Sequence, residues 1–141
     1  MATKITLCIV GEPFAKGRPK LTSYPFPHAI TPKATREAEK MVRAAISEQL
    51  ARLSPRPALL AGPLKVSLIF RKSKPKSAPK TREIYPIKKP DIDNYAKLYL
   101  DCMNGLLFAD DAQITELYLK KEFKGNSDSP CTIIKLTEAA V

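Results

Sequence analysis

Five of the six aspartates in this 141-residue chain, Asp91, Asp93, Asp101, Asp110 and Asp111, fall within 21 consecutive residues. Asp91 and Asp93 stand at the mouth of a predicted helix, directly after Lys88-Lys89-Pro90. Asp110 and Asp111 occupy the turn between the end of that helix and the next predicted strand. Helix capping explains one aspartate of the first pair, and turn chemistry suits the second pair. If the fold brings the pairs together, a different account is needed. Two carboxylates about 4 Å apart repel by roughly 4 kcal/mol at an effective dielectric of about 20, on the order of three pKa units. A helix N-terminus offsets about 1 kcal/mol of that. A divalent cation offsets all of it, and an all-oxygen set of Asp91, Asp93, Asp110 and Asp111 suits Mg²⁺, or Mn²⁺ in its place, rather than zinc. Both readings of the cluster stand on spacing alone.

Several competing chemistries fail on spacing. A calcium loop starting at Asp91 needs glycine at its sixth position and glutamate at its twelfth, where this chain has Ala96 and Cys102. No Gly-rich phosphate or dinucleotide motif occurs, so a nucleotide cofactor has no support. The chain is too short for the large parallel sheet that an aspartyl phosphatase or a nucleotide-sugar transferase requires. A single histidine, His28, in a proline-rich loop, leaves imidazole-based zinc sites and Ser-His-Asp triads little to build from. Cys8, Cys102 and Cys131 are widely spaced in apolar surroundings and read as buried, reduced thiols. Lys97 lies one turn beyond Asp93. It suits either an i,i+4 ion pair with a neighbouring aspartate or a charge that holds a phosphate and its leaving oxygen.

The elements that must position these groups follow from periodicity. Residues 4–10 alternate as a strand, and a proline-rich loop then runs to residue 32. Thr31-Pro32 reads as a helix start, with Thr31 as the cap. Ala38, Met41, Val42, Ala45, Ile46, Leu50 and Leu53 trace an amphipathic helix over 33–53. Residues 64–71 form a second strand. Tyr95, Leu98, Tyr99, Cys102, Met103 and Leu106 mark a second helix, which starts at Asp91–Asn94 and stops at Asn104-Gly105. In 112–123, Leu117, Leu119 and Phe123 share one face and Glu116, Tyr118, Lys120 and Glu122 the other. A last strand begins at Cys131. The order β-α-β-α-β-β is that of an α+β fold: one domain over 1–141, with a small mixed sheet and two main helices.

Charge is concentrated as well as large. Lys and Arg total 24 against 14 acids, a formal +10. Residues 72–90 hold six lysines and Arg82 against Glu83, so +6 of that excess lies in one proline-rich segment. Such a segment suits a polyanion, and Lys72, Lys74, Lys76, Lys88 and Lys89 are candidate nucleic-acid contacts. Lys16, Arg18 and Lys20 in the first loop are further candidates. A solvated loop explains each set as well. With no long apolar run to span a membrane, the chain is expected in the cytoplasm.

The run KPDIDNYAKLYLDCMNG, followed by DDAQITELYLKKEF, resembles the motif of RusA-type Holliday junction resolvases. GEPFAKGRPK and ITPKATREAE resemble N-terminal segments of phage and prophage members. The resemblance covers most of the chain outside 53–80. It implies a homodimeric, Mg²⁺-dependent endonuclease that cuts four-way DNA junctions by paired nicks in a bacterial or phage-infected cell. Asp91, Asp93 and Asp111 match the family's essential carboxylates, Asp110 its adjacent acidic position and Lys97 its active-site lysine. Asn94, Asp101 and Gln113 match supporting positions. A non-catalytic junction- or duplex-binding module, whose aspartates only cap and turn, is the alternative. RNA binding has less support, since no aromatic-rich RNP-type strand is present.

Overall fold

Alternation along β1 (Thr3–Val10) buries Ile5, Leu7 and Ile9 and turns Lys4, Thr6, Cys8 and Val10 outward. The computed structural model describes residues 3–17, 20–79 and 82–139. Its main sheet runs β1-β6-β4-β5, built with β4 (Leu64–Lys72), β5 (Ile114–Phe123) and β6 (Cys131–Glu138). β6 lies antiparallel between β1 and β4, whereas β4 and β5 are parallel, so the sheet is mixed as expected. Parallel neighbours need a crossover. Helix α2 (Ile92–Met103) supplies it.

One face of the sheet carries the core. Leu64, Val66, Leu68 and Phe70 of β4 and Ile134 and Leu136 of β6 pack beneath α1 (Lys33–Arg52) and α2. Each such aliphatic side chain, fully buried, contributes about 1.5–3 kcal/mol, so this face dominates stability. On α1 the buried set is Thr35, Ala38, Val42, Ile46 and Leu50, a narrow row at i,i+3 and i,i+4 spacing. Met41 and Leu53, expected in the stripe, are exposed, because one narrow row suffices for a helix lying across the sheet's β1 side. The helix starts at Lys33 as expected, but its cap is Pro32 rather than Thr31. On α2 the expected stripe is buried from Tyr95 through Met103, and Leu106 packs against the core.

Two further corrections concern the first loop and the thiols. Lys20–Thr22 (β2) and His28–Ile30 (β3) pair as a small antiparallel hairpin within the segment read as loop. His28 sits at its second strand, with Nδ1 2.7 Å from the Phe26 carbonyl oxygen. All three cysteines are free thiols, but Cys8 is exposed because strand alternation places it on the uncovered sheet face. Cys102, buried in α2, has its thiol pKa pushed up to about 12 by that burial.

Among the described residues the far side of β5 has no strand partner. Register places Leu117, Leu119 and Phe123 on the helix-covered face, as the alternation predicts. Yet Leu117 remains 45% and Tyr118 54% exposed, and residues 84–90 approach β5 only at its far end, at Lys121 and Phe123. An unpaired apolar edge is a template for another strand.

Candidate active site

Asp91 is the N-cap residue of α2, but its carboxylate makes no capping hydrogen bond. Capping therefore does not account for it. Among the described residues its side chain has no protein partner. Asp93, in the first turn, is exposed and lies 3.6 Å from the Lys97 ammonium, the i,i+4 pair that the spacing offers. The lead-in to these aspartates is fixed by Lys121, whose Nζ donates to the Lys88 and Pro90 carbonyls at 3.1 and 3.0 Å. The backbone N–H of Lys16 donates to the Asn94 carbonyl at 2.9 Å and ties the first loop to α2.

The second pair divides its work. Asp110 caps a short 3₁₀ turn, Asp111–Gln113, accepting from the Ala112 N–H, while Gln113 Oε1 accepts from the Asp110 N–H at 2.9 Å. Gln113 Nε2 also donates to the Leu60 and Gly62 carbonyls, so this residue builds the turn. Asp111 keeps its carboxylate outward. Hydrogen bonding to Asp110, partial desolvation and the charges of Asp110 and Asp101 raise its pKa above the ordinary aspartate value.

The two pairs do not meet within one chain. Asp91 and Asp93 start α2, and Asp110–Asp111 follow its far end. Twelve helical residues separate the ends, about 18 Å at 1.5 Å per residue. Among the described residues, no three acidic, Cys or His side chains gather closely enough to hold a metal ion. Within one copy the two pairs thus stand apart, because α2 lies along the β4–β5 pair and its ends reach opposite ends of the sheet.

The candidate basic contacts are similarly distributed. Lys16 is drawn to Asp101, Nζ to Oδ2 at 2.7 Å, and that carboxylate raises the ammonium's pKa. Arg18 lies outside the described residues, and Lys20 opens β2. Lys72 places Nζ 5.6 Å from the centroid of the Tyr95 ring. Lys74 and Lys76 line an open concavity with Lys124. Lys88 and Lys89 are exposed beside Asp91. Two supporting residues went unread in the sequence. Lys121 is a lysine in an otherwise apolar alternating row, and Glu12, whose carboxylate accepts from the Ser73 N–H, stands alone in its loop. The first had a usable signal, and the second had none.

A fold with a mixed sheet, an uncommitted carboxylate at a helix mouth and a concentrated basic segment matches a family model described as endodeoxyribonuclease RusA over residues 11–137. The chain is an endodeoxyribonuclease, a hydrolase acting on DNA. It belongs to the RusA family. It is also 26% identical over 147 residues to the uncharacterised protein YqaN of Bacillus subtilis (strain 168), with 96% of this chain and 97% of that one covered. No helix among the described residues is long and apolar enough to cross a membrane.

Proposed function

We propose that the protein resolves four-way (Holliday) DNA junctions as a Mg²⁺-dependent homodimer, making paired nicks at two sites that each draw on both copies. The observation that carries this reading is the separation of Asp91 and Asp93 from Asp111, with an unpaired β5 edge running between the two ends. Two β5 strands laid antiparallel about a two-fold axis put the start of one beside the end of the other. Asp111 of one copy then reaches the end of the joint sheet where the partner subunit's Asp91 and the partner subunit's Asp93 stand.

The strand's own residues favour one register. With Tyr118 on the axis, Leu117 meets Leu119 and Glu116 meets Lys120, each twice. Sliding one way puts Glu116 opposite Glu122, a like-charge pairing, and sliding the other way loses both the Leu117–Leu119 and the Glu116–Lys120 pairs. A junction has approximate two-fold symmetry, so a two-fold protein presents two sites to opposing strands at once.

The donors fit a hard divalent cation: carboxylate oxygens only, with Asp91 unspent by capping. Asp91, Asp93 and Asp111 would hold it, with Asp110 beside them as the group that fixes the turn. When bound, the ion supplies an activated hydroxide and neutralises charge on the phosphate. Lys97, held beside Asp93, stabilises charge on the leaving oxygen. The 72–90 segment grips backbone phosphates without reading bases.

A synthetic four-way junction, incubated with the protein in Mg²⁺ or in EDTA, tests the reading. Paired nicks in Mg²⁺ only, with binding kept in EDTA, are expected. Equal cleavage in EDTA would remove the metal from the mechanism, and an uncut junction beside a cut linear duplex would remove the junction.

Changing Lys72, Lys74 and Lys76 to Gln should weaken binding to every DNA shape. It should also make the log–log salt dependence shallower, by about 0.9 for each phosphate that the variant no longer neutralises. An unchanged slope would make this segment a solvated connector.

A further inference from the structure

Residues 73–79 and 82–90 help line two adjacent concavities, which share Ser73, Pro75 and Ala78 as a common wall. One, about 390 Å³, is lined by Lys74, Lys76 and Lys124. The other, about 350 Å³, is lined by Ile84, Tyr85, Pro86, Ile87 and Phe123, with Lys72, Lys88 and Lys89 also on its walls. Pro86 is buried and anchors this stretch, while Tyr85 is 66% and Ile87 90% exposed on either side of it. An apolar pair so exposed, in a segment this cationic, is unexplained by folding. The Tyr85 hydroxyl donates to Glu83 at 3.1 Å, which fixes the ring's direction.

A lysine-lined hollow beside an aromatic one has the chemistry of a single nucleotide, anionic at one end and a flat π-surface at the other. The lining of the aromatic hollow ends at Lys89, two residues before Asp91, whose lead-in Lys121 holds in place. We propose that this double notch receives one nucleotide extruded from the strand at a DNA branch point, its phosphate among Lys74, Lys76 and Lys124 and its base stacked on Tyr85. The inference rests on the junction reading above and adds to it a source of selectivity. Extruding a base from continuous duplex costs a few kcal/mol, and least where stacking is already interrupted. Branch points pass that test, and intact duplex does not.

The test compares the full-length protein with Tyr85→Ala and Tyr85→Phe in EDTA. Affinity is measured for a four-way junction and for a linear duplex of the same arm sequence. Tyr85→Ala is expected to weaken junction binding about 5- to 150-fold, the range for losing one base–aromatic stack, with duplex binding within about twofold of the parent. Tyr85→Phe, which keeps the stack, should stay near the parent on both. Junctions abasic at each nucleotide flanking the branch point, taken in turn, complete the cycle. At one position the abasic junction should weaken the parent as much as Tyr85→Ala does, with no further loss when the two are combined. Equal losses on junction and duplex, or additive losses at every position, would overturn the notch. A parent protein that fails to nick the junction in Mg²⁺ would instead overturn the junction reading. A parent that nicks it, with Tyr85→Ala indistinguishable in binding, overturns the notch alone.

Discussion

Asp93→Asn and Asp111→Asn proteins, each inactive alone, should regain junction nicking when mixed and allowed to exchange chains. Either change removes a ligand charge with little change of shape, and a loss on the order of 10²–10³-fold is expected for each. In a mixed dimer one shared site carries both defects, and the other takes the intact Asp93 of one chain and the intact Asp111 of its neighbour. Random exchange makes about half the dimers mixed and leaves about a quarter of the parental sites whole. The product should be a junction nicked on one strand, since only one site per dimer works. Exchange is verified by co-purification of differently tagged chains. A mixture no more active than its components would place all three carboxylates of a site in one copy, against the geometry of α2. Binding should persist in each variant, because an aspartate facing phosphate without metal is repulsive and its amide is not.

Tyr118→Lys should convert the proposed dimer to monomer and lower cleavage about 100-fold or more while leaving the monomer fold intact. In the favoured register the two copies of residue 118 face each other across the axis, so the substitution sets two ammonium groups opposite one another. Tyr118 is exposed on an edge strand, so its replacement removes little buried area. Sedimentation at assay concentration reads the assembly, and the melting transition reads the fold. A Tyr118→Lys protein that stays dimeric and cuts at the parental rate would exclude β5 as the joint.

Periodicity was sufficient for the elements that face a core from one side. The alternation of β1 and β4 and the stripe of α2 each predict their buried residues, because burial on one face imposes a single period. The hairpin at Lys20–Ile30 escaped, since three-residue strands carry no period and its apolar groups, Leu21, Tyr24 and Phe26, stay exposed. Met41 was misplaced for a related reason: a helical stripe two residues wide in sequence can bury only one of its rows. At the candidate site, residue order was legible: Asp91 and Asp93 stand at a helix start and Asp110 and Asp111 in a turn, as expected. Distance was not. Nothing in DxD…DD says whether twelve helical residues fold the pairs together or hold them apart, and that depends on the direction in which α2 lies over the β4–β5 pair. The role of Asp110 as a cap became visible only with Gln113 placed beside it.

The length of α2 has a consequence for how such a nuclease behaves in a cell. Under the proposed arrangement a solitary chain carries the two halves of its catalytic equipment on opposite flanks and can cut nothing. Turnover then rises with the square of protein level at low abundance and becomes linear only once pairing saturates. Trace leakage of the gene product would be harmless to a chromosome, whereas a burst of synthesis would switch the enzyme on steeply, with no inhibitor required.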